Sequence, residues 1–158
     1  SGDFYDAFTL GQKKKIGILV ADVCDKGVGA ALFMALFRSF IRVLSGQAVS
    51  ENHLNADTNP MEILRKTFRS INNYISVTHE KAGMFATLFY CIINPDTGDF
   101  YYINGGHEPP LIIGRSKIKA RLKPTGPAVG LQQYLNHQVG NATLAKGDTL
   151  VVFKNGVV

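Results

Sequence analysis

Apolar residues recur with two different periods along this chain, and the change of period divides it. Residues 4–10 and 16–22 read as strands joined by the polar turn Gly11-Gln12-Lys13-Lys14-Lys15. The second of these, Ile16-Gly17-Ile18-Leu19-Val20-Ala21, is almost continuously apolar, as expected of a strand covered on both faces. Gly27 and Gly29 bracket Val28, and residues 30–44 then run without a breaker through strong helix formers. Apolar side chains cover most of that segment's circumference, which predicts a largely buried helix. Residues 45–59 are polar and carry Gly46, Asn52, Asn55, Asp57 and Asn59, the composition of a loop. Pro60 opens a second helix, a residue suited to the first turn. Met61, Leu64, Phe68, Ile71 and Ile75 repeat at steps of three and four on one face, with Arg65, Lys66, Arg69 and Asn72 off it.

From Met84 the chain turns β-rich. Residues 85–93 form a strand, Asn94-Pro95-Asp96-Thr97-Gly98 is a turn, and residues 99–104 return as the hairpin partner. Gly105-Gly106-His107-Glu108-Pro109-Pro110 is a tight loop before a short strand at 111–113, with residues 117–122 placed to pair with it. Residues 126–131 read as a rigid loop over the core. Residues 137–144 and 149–153 read as two more strands joined by Lys146-Gly147-Asp148. About eight strands cluster apart from two consecutive helices. That order predicts an α+β fold with antiparallel sheets.

A length of 158 residues sets one domain with a real core, and 46% hydrophobic against 18% charged residues describes a folded globule. The net charge of +5 is scattered, with Lys13-Lys14-Lys15 the only basic run, so no nucleic-acid partner is expected. The longest apolar stretch, residues 28–37, is too short to span a bilayer, and Arg38 and Arg42 interrupt its continuation. No signal peptide is visible. Two cysteines, Cys24 and Cys91, form neither a disulfide framework nor a zinc pattern. A reducing, cytoplasmic setting fits that usage. The chain opens on Ser, which reads as a fragment.

Chemistry enters at two acidic turns. Ser1-Gly2-Asp3-Phe4-Tyr5-Asp6 and Ala21-Asp22-Val23-Cys24-Asp25-Lys26-Gly27 stand at neighbouring strand ends. Carboxylates so placed are either solvated turn residues or oxygen ligands for a hard cation such as Mg²⁺, Mn²⁺ or Ca²⁺. Asp6 can bind a cation through water or cap a turn. Asp25 reads as a helix N-terminal residue, Lys26 as a surface residue, and His107 as part of a constrained turn. His53, His79 and His137 show no partner spacing.

Four blocks in register carry a family resemblance. They are Gly2-Asp3-Phe4-Tyr5-Asp6; Ala21-Asp22-Val23-Cys24-Asp25-Lys26-Gly27-Val28 with Ala30-Ala31-Leu32-Phe33-Met34; Met84-Phe85-Ala86-Thr87-Leu88-Phe89 with Gly105-Gly106-His107-Glu108-Pro109-Pro110; and Gly147-Asp148-Thr149-Leu150 before Asn155-Gly156-Val157. Over essentially its whole length the chain resembles the bacterial SpoIIE/RsbU-like branch of the PPM-type (type 2C) serine/threonine phosphatases. The resemblance implies an α-β-β-α sandwich with a two-metal site, Mn²⁺ or Mg²⁺, at one end of the sheets. It implies that Asp3 bridges both metals, that the backbone carbonyl of Phe4 serves the second, and that Asp22 is an outer acidic ligand of the second. It further implies hydrolysis of phosphoserine or phosphothreonine by a metal-activated water. The substrate expected is a phosphorylated signalling protein such as a STAS-type anti-sigma-factor antagonist, and an upstream sensory or receiver domain is usual.

The chain departs from that pattern at Asn155, where the family carries an Asp ligand of the first metal. An amide oxygen ligates without charge, so weaker metal binding is expected. The family's last helix and strand are also expected beyond Val158. These departures leave open a pseudophosphatase that binds a phosphorylated partner without turnover. A phosphatase of small molecules is a further alternative.

Overall fold

A computed structural model describes residues 2–11, 14–24, 30–50, 59–78 and 83–154. The chain order is β1 (Gly2–Leu10), β2 (Lys15–Cys24), α1 (Ala30–Ser50), α2 (Pro60–Thr78), β3 (Phe85–Ile93), β4 (Asp99–Gly105), β5 (Leu111–Ile113), β6 (Ile118–Arg121), β7 (Gly140–Thr143) and β8 (Thr149–Val151). Strands β1-β2-β3-β4-β7 make one sheet and β6-β5-β8 a second, with antiparallel pairing throughout. The α+β class with two antiparallel sheets is as expected. The described residues supply three layers, helices on sheet on sheet; a second helix layer is not among them.

Strand alternation sorts the apolar side chains into two cores. Leu19, Ala21 and Val23 of β2 and Leu88, Tyr90 and Ile92 of β3 meet Ile41 of α1 and Leu64, Phe68, Ile71 and Ile75 of α2. The intervening Phe89, Cys91 and Ile93 turn to the other face and meet Phe100, Ile112 and Leu122, with Ile16 and Ile18 beside them. A strand buried on both faces needs the nearly unbroken apolar run that β3 has. Cys91 is a small core residue here, its thiol pushed up to about 12 by burial, against a hydrogen bond to the Ile18 backbone.

Helix α2 follows the expected stripe. Asn59 caps it, its side-chain oxygen accepting from the Met61 N–H at 3.0 Å, and Pro60 occupies the first turn. Helix α1 departs from expectation twice. It runs on to Ser50 through a stretch that reads as loop. Tertiary contact overrides composition there, because Ser45 is buried with its hydroxyl 3.0 Å from that of Tyr90. Its described side chains are also less buried than expected: Ile41 and Ser45 are buried, but Ala35, Arg38, Ser39, Arg42, Val43 and Gly46 are exposed.

The last two strands are shorter than expected and do not pair with each other. β7 joins the five-stranded sheet beside β4, and β8 joins the other sheet beside β5. Asp148 holds the turn between them, accepting from Lys119 Nζ at 2.7 Å and from the Ala145 N–H at 2.9 Å.

Candidate active site

The β1–β2 hairpin sets Asp3 directly opposite Asp22, and Asp22 stands opposite Thr87 on β3. The three form one row across the end of the larger sheet. Asp22 points away from the helix layer, since its neighbours Ala21 and Val23 face that layer and side chains alternate. One Asp22 oxygen, Oδ1, is buried with no hydrogen-bond partner. Asp3 is ion-paired through Oδ2 with the ammonium of Lys154.

Two facing carboxylates near a sheet end titrate as a pair. Burial, and then the neighbouring Asp3, push Asp22 above the usual carboxylate range. Burial also opposes ionisation of Asp3, but its contacts with Lys154 and Asp22 outweigh that and hold it below the usual range.

Beside this row stands His107, 2% exposed. Its Nδ1 lies 3.2 Å from Thr87 Oγ1 and its Nε2 lies 3.0 Å from the carbonyl oxygen of Phe153. Its backbone N–H donates to Asn104 Oδ1 at 2.8 Å, and Asn104 Nδ2 donates to the Leu122 carbonyl at 2.9 Å. Gly106 precedes it at φ +67°, where a Cβ would stand 2.8 Å from the Ala128 backbone nitrogen. Only glycine fits that turn. Both ring nitrogens of His107 are thus engaged in holding the fold, in line with the constrained-turn reading.

Of the residues expected at the site, the structure brings Asp3 and Asp22 together, with Phe4 next along β1 and its ring packed on the helix-side core. Asn155 lies outside the described residues, as do Asp25, Lys26, His53 and His79. Asp6 lies on the opposite face of β1 from Asp3. It faces α1, where Oδ2 accepts from Arg42 Nε at 2.6 Å and Oδ1 from Arg42 Nη2 at 2.7 Å and Arg38 Nη2 at 3.0 Å. The even-numbered positions of β1 face the helices, and that separates Asp6 from Asp3. His137, which shows no partner spacing in the sequence, has a structural place. It is buried, with Nε2 2.7 Å from the Pro127 carbonyl and its ring 5.1 Å from that of Phe68. Thr87 and Lys154 were not foreseen. Lys154's place beside Asn155 was the available signal.

The donor set fits a hard cation. It offers carboxylate oxygens, one of them buried and unpartnered, while the nearby Cys24 thiol is disfavoured as a thiolate, pushed up by burial and then by Asp22. Among the described residues no group of three or more His, Cys, Asp or Glu side chains converges, so the facing pair Asp3 and Asp22 is the acidic feature of this end of the sheet.

This two-sheet frame is that of the PP2C-type serine/threonine phosphatase domains. It superposes on the phosphatase domain of the cell-fate determinant SpoIIE from Bacillus subtilis with a TM-score of 0.72 at 18% identity, covering 99% of this chain and 42% of that one. It superposes on the RsbU and RsbW domains of a Mycobacterium tuberculosis protein with a TM-score of 0.70 at 26% identity, covering 99% and 40%. Residues 12–158 match the family described as Stage II sporulation protein E (SpoIIE), and the chain belongs to that family. It is 41% identical over 170 residues to Protein IcfG of Synechocystis and 29% identical over 158 residues to the phosphoserine phosphatase RsbU of Bacillus subtilis. It spans 99% of its own length in both alignments but only 27% and 42% of theirs. Among the described residues no helix is long and apolar enough to cross a membrane.

Proposed function

We propose that this domain hydrolyses phosphoserine or phosphothreonine on a bacterial signalling protein in the cytoplasm, with Asp3 and Asp22 as the core of its site. The observation that carries this reading is the facing pair of carboxylates with the Asp22 Oδ1 left buried and unpartnered. Asp3, Asp22, the Phe4 carbonyl and Asn155 would hold Mn²⁺ or Mg²⁺. Bound cations supply the positive charge that activates a water and offsets the charge of the phosphoryl oxygens. Water adds to phosphorus, the bond to the seryl oxygen breaks, and that oxygen leaves with a proton, giving inorganic phosphate. Asp3 and Asp22 fix the geometry for this, and no Ser or Cys nucleophile is needed.

The RsbU relationship supports a regulatory phosphoprotein as substrate, with a STAS-type anti-sigma-factor antagonist the class to test first, and an upstream sensory or receiver domain as the source of control. A second reading, a domain that captures a phosphorylated partner without turnover, is favoured by Asn155 and by the Lys154 ammonium on Asp3. Phosphate release from a phosphorylated STAS protein with Mn²⁺ decides between them. Mn²⁺-dependent release that is lost in Asp3→Asn supports the hydrolase. Binding of the phosphoprotein with no release at saturating Mn²⁺ overturns it in favour of the second reading. Faster release from a small phosphate ester than from the phosphoprotein would instead point to small-molecule substrates.

A further inference from the structure

We infer that Lys154 is a built-in cation that competes with divalent metal for Asp3. The inference rests on the cation reading of the Asp3–Asp22 pair and concerns how tightly that pair is available.

An exposed lysine touching a carboxylate is ordinarily of little consequence, because its long side chain is free to leave. Lys154 differs in how it is delivered. The preceding residue, Phe153, has its carbonyl oxygen held by the buried His107 ring. That ring is held in turn by Thr87, which stands opposite Asp22. Asp22 stands opposite Asp3, and Asp3 is the partner of Lys154. The contacts close a ring, so the lysine starts from an anchored backbone one residue from the carboxylate it neutralises. Phe153 leaves the second sheet just after β8, which brings that sheet's chain to the end of the first.

The electrostatics set the competition. Asp3 and Asp22 place two negative groups side by side, and Lys154 is the one ammonium ion-paired to either among the described residues. A cation that needs both oxygens of Asp3 must first remove the lysine from Oδ2. Only the fraction of molecules with Lys154 withdrawn is then competent, and apparent affinity falls by that fraction. After displacement the ammonium remains tethered nearby and repels the ion that replaced it. Asn155, next in the chain, adds no negative charge to offset this.

Calorimetric titration of Mn²⁺ alone into the parent chain, Lys154→Met, Lys154→Arg and Asp22→Asn tests the inference, with thermal melts in EDTA as the check on folding. Lys154→Met is expected to bind Mn²⁺ at least fivefold more tightly than the parent, and Lys154→Arg to stay within about twofold of it. In EDTA, Lys154→Met is expected to melt below the parent, and in millimolar Mn²⁺ above it. Lys154→Gln replaces the Met variant if the latter folds poorly. Equal affinity in parent and Lys154→Met, lost in Asp22→Asn, overturns the competition and leaves the metal site standing. No Mn²⁺ binding by any of the variants overturns the cation reading itself, and the competition with it.

Discussion

His107 Nε2 lies 3.0 Å from the carbonyl oxygen of Phe153, and that contact fixes the state of the ring. A carbonyl only accepts, so Nε2 carries the hydrogen, and Nδ1 is left to accept from the Thr87 hydroxyl. Burial lowers the ring's proton affinity, against the opposing pull of the Phe153 carbonyl, Glu108 and Asp3. The neutral ring is therefore the form that spans β3 and the chain after β8.

His107→Ala is expected to cost about 1–3 kcal/mol of stability, the usual range when buried partners lose their hydrogen bonds. Urea denaturation at pH 7.5 measures it. A change under about 0.5 kcal/mol, the ordinary spread for surface substitutions, would show that the ring does not brace the site.

Asp22→Asn is expected to raise the melting temperature of the metal-free chain while removing any stabilisation by Mn²⁺. The carboxylate faces Asp3 across an antiparallel pair and keeps one oxygen buried without a partner, both of which oppose folding. Site groups often trade stability for function in this way. Paired melts in EDTA and in Mn²⁺ check both halves of the expectation.

Asp6 works in the opposite sense. Hydrogen bonding to Arg42, then to Arg38, outweighs burial and holds its carboxyl at about 2. A depressed carboxylate contributes stability above its unfolded value of 3.8, and that contribution is lost as pH falls from about 4 through 2. Asp6→Ala is expected to cost about 1–2 kcal/mol at pH 7, a modest figure because both guanidinium groups are half-exposed and can turn to water. The variant should also lose part of the parent's acid-unfolding limb below pH 4, followed by circular dichroism.

His137 is held neutral chiefly by burial, against the Pro127 carbonyl; its Nδ1 is buried without a partner, and Arg65 and Arg69 line the same small pocket. Its proton affinity is lowered below the unfolded value of 6.5, so stability is full above that pH and falls as pH drops below it. His137→Gln can keep the bond to Pro127 without titrating. Its stability is expected to fall less steeply between pH 6.5 and 5, by up to one proton in the slope. Urea melts at several pH values give that slope directly.

Much of the frame is legible because alternation and helical spacing survive folding unchanged. β3, β5 and the stripe on α2 follow directly from the positions of their apolar residues. The end of α1 does not, because Ser45 to Ser50 looks like loop until Tyr90 is seen to meet Ser45. The role of Asp6 depends on Arg38 and Arg42 lying one helical turn apart on an element that packs against β1, a relation that local pattern does not contain. The facing of Asp3 and Asp22 follows from the hairpin register. Lys154 reaches them from the chain after β8, a contact at which only its place beside Asn155 hints in the sequence.

The two sheets are interlaced along the chain. β4 and β7 are neighbours in the first, yet β5 and β6 of the second are made between them, and β8 completes the second only after β7 has returned to the first. Neither sheet is a contiguous segment, so neither can be finished by a growing chain before the other is nearly complete. Pairings of this separation close late and slowly. The Asp3 end of the molecule, where the β1–β2 hairpin meets Lys154 from beyond β8, comes together only when that interlacing is done.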